Sequence, residues 1–88
     1  MKWAVRYRRS VEKDIRRLPH DIRLKALACL RLFEADQLPQ SEKIKGTNHR
    51  YRIKFAADYR VVYSTDDKAK CCNIEFVGHR KDAYRWFQ

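Results

Sequence analysis

The chain has 88 residues and carries 21 Lys plus Arg against 11 Asp plus Glu, a formal charge of +10. Hydrophobic residues make up 44%, with two Trp, five Tyr and four Phe, too many for a disordered chain. The length suits one domain over residues 1–88, and no run approaches the roughly 20 apolar residues of a membrane span. The first segment, Met1-Lys2-Trp3-Ala4-Val5-Arg6, lacks the apolar stretch of a secretory signal. In it Trp3, Val5 and Tyr7 alternate with Lys2, Ala4 and Arg6, which predicts a half-buried strand. Ser10 is the expected N-cap of a first helix, whose stripe is Val11, Ile15 and Leu18 and whose end is marked by Pro19. Asp21 is the expected cap of a second helix, with Ile22, Ala26, Cys29, Leu30 and Phe33 on its apolar face and Leu38-Pro39 as its stop.

Residues 40–49 are polar, with Gly46 as a turn signal, and the period then changes from helical to two. Tyr51, Ile53 and Phe55 alternate with Arg50, Arg52 and Lys54. Tyr59, Val61 and Tyr63 alternate with Arg60, Val62 and Ser64. After Asp66-Asp67, Cys72, Ile74 and Phe76 alternate with Cys71, Asn73, Glu75 and Val77. Gly78 breaks the pattern, and residues 79–88 form a short tail with room for one helical turn. The order β-α-α-β-β-β predicts a two-layer α+β domain, a helical hairpin on one face of a mostly antiparallel, twisted, four-stranded sheet. The opposite face is where the strand pattern places its charges.

Cys29, Cys71 and Cys72 cannot all pair internally, and neighbours on a strand point to opposite faces. No CxxC is present, so the expectation is reduced thiols in a cytoplasmic protein and no zinc site. The +10 charge points to a polyanionic partner: nucleic acid, an anionic membrane or an acidic protein.

The segment with chemistry in it is residues 50–63. If both strands bury their aromatic faces together, paired positions share parity. A three-residue loop at 56–58, with Asp58 in the left-handed conformation, satisfies this. Phe55 then pairs with Tyr59, Ile53 with Val61 and Tyr51 with Tyr63. The same register sets Lys54 opposite Arg60, with Arg52 two residues along on that face. Like charges facing each other weaken a ladder, so a sequence tuned only for folding would avoid them. Three cations on one wall of sheet suit a phosphate; the bland alternative is a solvated polar face. Nearby like charge and partial desolvation both favour the neutral form of the Lys54 amine, which could then act as a general base. Arg52 and Arg60 stay charged and could hold phosphodiester oxygens. Arg80 is a further cation from the end of the last strand. Tyr84 either stacks on a base or, like Trp86 and Phe87, pins the C-terminus. His79 is an acid–base candidate or a structural residue beside a turn glycine.

The runs Tyr51-Arg52-Ile53-Lys54, Asp58-Tyr59-Arg60-Val61-Val62-Tyr63, Val77-Gly78-His79-Arg80 and Ala83-Tyr84, in this order, resemble the RelE branch of the RelE/ParE toxin superfamily, and the similarity covers nearly the whole chain. The resemblance implies a RelE-like microbial RNase fold and the toxin of a type II toxin–antitoxin pair. It implies an endoribonuclease that enters the ribosomal A site and cuts mRNA there, inhibiting translation. The implied reaction is attack of the 2′-OH on the adjacent phosphate, with no metal or other cofactor. By motif match Lys54 is the base, Arg80 the acid or leaving-group stabiliser, and Arg52 and Arg60 steady the phosphate. Tyr84 stacks on the displaced base, while Arg50, His79, Lys81 and Arg85 are expected to contact RNA. Position 52 holds Arg where the family's best-known members have Lys, which preserves an electrostatic role but not proton transfer. The implied partners are the ribosome, its mRNA and a cognate antitoxin, an acidic or amphipathic segment wrapping the toxin. Two other functions are the alternatives: a nucleic-acid-binding module whose sheet face binds phosphates without catalysis, and a ParE-like inhibitor of DNA gyrase, which the full basic set at positions 52, 54, 60 and 80 speaks against.

Overall fold

A computed structural model describes residues 3–35, 37, 41–46 and 49–83. Leu38-Pro39, Tyr84, Arg85, Trp86 and Phe87 lie outside the described residues. The elements are β1 (Ala4–Tyr7), α1 (Arg9–Arg16), α2 (His20–Glu34), β2 (Glu42–Lys43), β3 (Arg50–Ala56), β4 (Tyr59–Asp66), β5 (Cys71–His79) and α3 (Arg80–Ala83). They form one five-stranded sheet in the order β1-β5-β4-β3-β2. β1 runs parallel to β5, and the other pairs are antiparallel. A parallel neighbour needs a crossover, and α1 with α2 supply it.

The helical stripes meet the alternating strand residues in one core. Val11, Leu18, Ala26, Cys29, Leu30 and Phe33 pack on Ile53, Val61, Tyr63, Ile74 and Val77, all buried. Phe33 meets Tyr63 edge-on at 4.9 Å, and Tyr51 stacks on Tyr63 at 5.3 Å. The three cysteines are buried thiols.

The structure corrects several expectations. The sheet has a fifth strand, β2, in the segment read as polar connection. Two residues are too few to show a period, and Glu42 and Lys43 join the sheet by pairing with Arg52 and Tyr51. Neither expected cap holds. α1 begins after Arg8 and α2 after Pro19, neither with a side-chain cap, so Ser10 and Asp21 lie inside their helices. Proline's fixed φ and missing N–H suit it to a helix start. The β3–β4 connection is shorter than the expected three residues. Ala56 pairs with Tyr59, and Phe55 is the extra residue of a bulge between the Lys54–Arg60 and Ala56–Tyr59 pairs. The Ile53–Val61, Tyr51–Tyr63 and Lys54–Arg60 pairs stand as expected, and the rings of Phe55 and Tyr59 still meet at 6.2 Å. Asp58 is not left-handed; among the described non-glycine residues that conformation belongs to Lys70, at φ 54°.

A second bulge changes the far face. Val62 pairs with Phe76 and Tyr63 with Ile74, so Glu75 is the extra residue on β5. Beyond it the side-chain parity reverses. Val77 joins Ile74 in the main core, while Phe76 turns to the opposite face. There Ile44, Val62 and Ala83 form a small second core with Phe76 against it, so the face expected to be purely charged is apolar at its centre.

Candidate functional site

Two rows cross the face away from the helices. One runs Glu42, Arg52, Val62 and Phe76 from β2 to β5; the next runs Lys54, Arg60 and Gly78 from β3 to β5. The expected pairing of Lys54 with Arg60 is therefore met by the backbone register. Gly78 belongs in its row because it lacks a side chain. A Cβ there would come within 2.7 Å of Phe76 Cζ, so the Phe76 ring occupies the space beside the cationic row.

The β3–β4 turn gathers the remaining groups. Arg60 folds back to donate to the Tyr59 carbonyl at 3.0 Å and the Ala57 carbonyl at 3.2 Å. Arg80 is tied to the same turn, its amide donating to the Asp58 carbonyl at 2.7 Å and its Nε lying 3.5 Å from Asp58 Oδ1. Lys54, Arg60 and Arg80 thus converge on one end of the sheet. The Lys54 side chain is exposed and has no hydrogen bond or ion pair to another described residue. The burial expected around its amine is absent from the free protein.

The other arginines stand progressively further back. Arg52, one row away, makes two hydrogen bonds to Glu42 Oε2, at 2.8 and 3.2 Å. Arg50 is further along β3 and bonds Glu75 Oε1 at 2.8 Å. The Arg52–Glu42 pair is 40% and 71% exposed and the Arg80–Asp58 pair 51% and 53%. Exposed pairs of this kind contribute only ~0–1 kcal/mol, so an incoming phosphate can displace the carboxylates. The Arg50–Glu75 pair is more enclosed, with Glu75 at 15%. His79 closes β5. Its ring meets Tyr59 edge-on at 5.4 Å, and its Nδ1 accepts the Lys81 amide at 3.1 Å, fixing the start of α3. Lys81 itself is exposed on α3. Tyr84 and Arg85 fall outside the described residues.

Sequence reasoning missed the carboxylates that hold these guanidinium groups. Asp58 was visible only as a turn residue. Glu42 could be matched to Arg52 only once β2 was known to be a strand. Behind the site, between α1, β5 and α3, lies a cleft of about 590 Å³ reached by Asp14, Gly78, His79 and Asp82. Asp14 Oδ2 accepts the Val77 amide at 3.3 Å. Burial first, and then the neighbouring Asp82, push the Asp14 carboxyl above the usual range, opposed by the Val77 amide and Arg17.

Residues 5–84 match the family described as "ParE toxin of type II toxin-antitoxin system, parDE". The chain belongs to the RelE/ParE toxin superfamily. This toxin is similar to the archaeal RelE of a RelE–RelB complex from Pyrococcus horikoshii, at 26% identity and TM-score 0.68, covering 91% of this chain and 97% of that one. In fold it is similar to the RelB–RelE complex of Methanococcus jannaschii, at 22% identity and TM-score 0.76, with 94% and 99% covered. It is also similar to the E. coli DinJ–YafQ complex, at 16% identity and TM-score 0.75, with 96% and 99% covered. Among curated proteins none matches the toxin significantly. No helix among its described residues is long and apolar enough to cross a membrane.

Proposed function

We propose that the toxin is a ribosome-dependent endoribonuclease that cleaves mRNA in the A site and so stops translation. The supporting observation is the facing of Lys54 and Arg60 across the β3–β4 ladder, with Arg80 tethered to the same turn. A phosphodiester laid over that end of the sheet meets an amine and two guanidinium groups from three segments.

In this reading the nucleic acid supplies the desolvation that Lys54 lacks in the free protein, favouring the neutral amine. Lys54 removes the proton of the ribose 2′-OH. The 2′ oxygen bonds to phosphorus, the bond from phosphorus to the 5′ oxygen breaks, and the products are a 2′,3′-cyclic phosphate and a 5′-hydroxyl. Arg60, with Arg52 once released from Glu42, stabilises the charge that grows on the phosphoryl oxygens. Arg80 stabilises the departing 5′ oxygen, whose proton comes from water because a guanidinium does not titrate usefully. Tyr84 would stack on the displaced base. His79, Lys81, Arg85 and Arg50 would contact the RNA backbone, Arg50 least readily because Glu75 encloses it. A cognate antitoxin is the partner that the RelE–RelB and DinJ–YafQ complexes suggest, and the +10 charge suits an acidic or amphipathic chain covering this basic face.

The test is induction in cells followed by mapping of message ends. New 5′-hydroxyl ends inside reading frames, absent with Lys54→Ala, are expected. A second reading, inhibition of DNA gyrase, is favoured by the matching family's ParE description. Loss of negative supercoiling with intact messages would establish it in place of the nuclease.

A further inference from the structure

We infer that Asp14 is a positioning residue for Arg80, acting as a bracket that replaces a missing strand along the last part of β5. The inference rests on the nuclease reading only for its effect on cleavage.

β1 accompanies β5 from the Ala4–Cys71 pair to the Tyr7–Ile74 pair, and the Arg8 amide donates to the Ile74 carbonyl. There the chain leaves the sheet to begin α1. From residue 75 onward no described strand lies on that side of β5, although β4 continues on the other as far as His79. An edge of this kind presents unpaired amides, and a buried amide without an acceptor is costly. The Val77 amide points to the vacated side, and α1 meets it with Asp14 Oδ2 at 3.3 Å, across 63 residues of sequence.

Val77 sits where a shift of the strand would reach the site. It lies just past the bulge at Glu75, where the strand has reversed its faces, and it precedes Gly78, over which the Phe76 ring is folded. Arg80 is three residues on, and the described connections holding its backbone are the Asp58 carbonyl and the His79–Lys81 bond at the start of α3. The first secures α3 to the turn beyond the site, and the second only joins α3 to the end of β5. The Asp14 bond instead ties this end of β5 back to the helical layer. Without it, the strand end that delivers Arg80 is held on one side only, by the β4 pairs Arg60–Gly78 and Tyr59–His79, and its placement against Lys54 and Arg60 loosens. Misplacement by about 1 Å far from the chemistry can cost up to about 100-fold in rate. The groups around Asp14 leave the carboxylate to this bond. Arg17 attracts it from the end of its own helix and Asp82 opposes it from α3, while Ser10 and His79 line the same cleft.

The experiment compares the full-length protein with Asp14→Ala and Asp14→Asn by amide hydrogen exchange and by cleavage of message on translating ribosomes. Asp14→Ala should speed exchange at Val77, Gly78 and His79 while leaving Val61 and Ile53 protected. Asp14→Asn keeps an acceptor oxygen and should restore the slow exchange. In cleavage, Asp14→Ala should cost about tenfold or more when Arg80 is present and nothing further in an Arg80→Ala background. Unchanged exchange at Val77 in Asp14→Ala would overturn the bracket whatever the protein cleaves. Equal losses of cleavage in both backgrounds would overturn its connection to Arg80. A wild-type protein that cleaves nothing would refute the nuclease reading instead, and the exchange comparison would still decide the bracket.

Discussion

Lys54 is the residue on which the proposed chemistry turns. It is exposed, and its cross-strand partner is another cation, so it does little for the fold. Lys54→Ala should change stability by no more than about 0.5 kcal/mol, as for other surface substitutions, measured by urea unfolding. The same change should lower the cleavage rate by about 100-fold or more if the amine is the general base. Lys54→Arg should not rescue it, because a guanidinium keeps its proton. Asp14 makes the opposite case, a half-buried carboxyl whose pKa is raised by folding, chiefly by burial. A group of this kind favours the folded state most when protonated. Its contribution is complete below the ordinary carboxylate value of 3.8 and is lost as pH rises through the raised one. Arg17 after α1, Asp82 on α3 and His79 on β5 are the charged or titratable groups sharing its surroundings. Asp14→Asn should therefore melt higher than the wild type near neutral pH, with the gap closing as the pH falls toward about 3, followed by circular dichroism. A gap that widened on acidification would contradict the assigned cause.

At the scale of elements, the ladder between β3 and β4 was legible in the residues, and the reasons are physical. Burial on one face fixes parity, and parity fixed the Lys54–Arg60 pair even though the turn chemistry was misjudged. The error in loop length was absorbed by the Phe55 bulge, which restores parity while adding a residue. The bulge at Glu75 was not legible. An apolar Phe76-Val77 step was its one local sign, and the alternation pattern read straight through it. Gly78 carries the consequence, since its missing Cβ admits the Phe76 ring. Gly78→Ala would force that ring off the small core of Val62, Ile44 and Ala83, at a cost of about 1–3 kcal/mol by analogy with overpacked cores, measured by urea unfolding. β2 was missed because two residues do not make a period. It supplies Glu42, the carboxylate that holds Arg52 in the free protein. Glu42→Gln should loosen the hold on Arg52 with less than about 1 kcal/mol lost, and should tighten binding to a single-stranded RNA, read by fluorescence anisotropy at fixed salt. Unchanged affinity would mean that Arg52 does not reach the RNA.

The whole molecule sets a small core against a large charge. Ten net positive charges on 88 residues repel one another, and the two layers absorb this by keeping most cations at the strand ends and helix surfaces. Any polyanion will bind such a protein and be released by salt, so affinity for nucleic acid does not separate a nuclease from a gyrase inhibitor or a passive binder. The family and the overall fold were legible from the order of motifs, because an opening strand, a helical hairpin and a three-stranded meander leave few ways to close one core. What the motifs could not convey is the state of the site's arginines, three of which rest on carboxylates of the same chain. The proposed nuclease stands or falls on Lys54, Arg60 and Arg80 acting together on one phosphodiester. The decisive experiment is cleavage of message on translating ribosomes by purified protein, with chemical identification of the ends formed. Wild-type protein should leave 2′,3′-cyclic phosphate and 5′-hydroxyl ends, and Lys54→Ala protein that folds and binds ribosomes normally should leave the message intact. Cleavage at wild-type rate by Lys54→Ala, or ends bearing a 5′-phosphate, would contradict it.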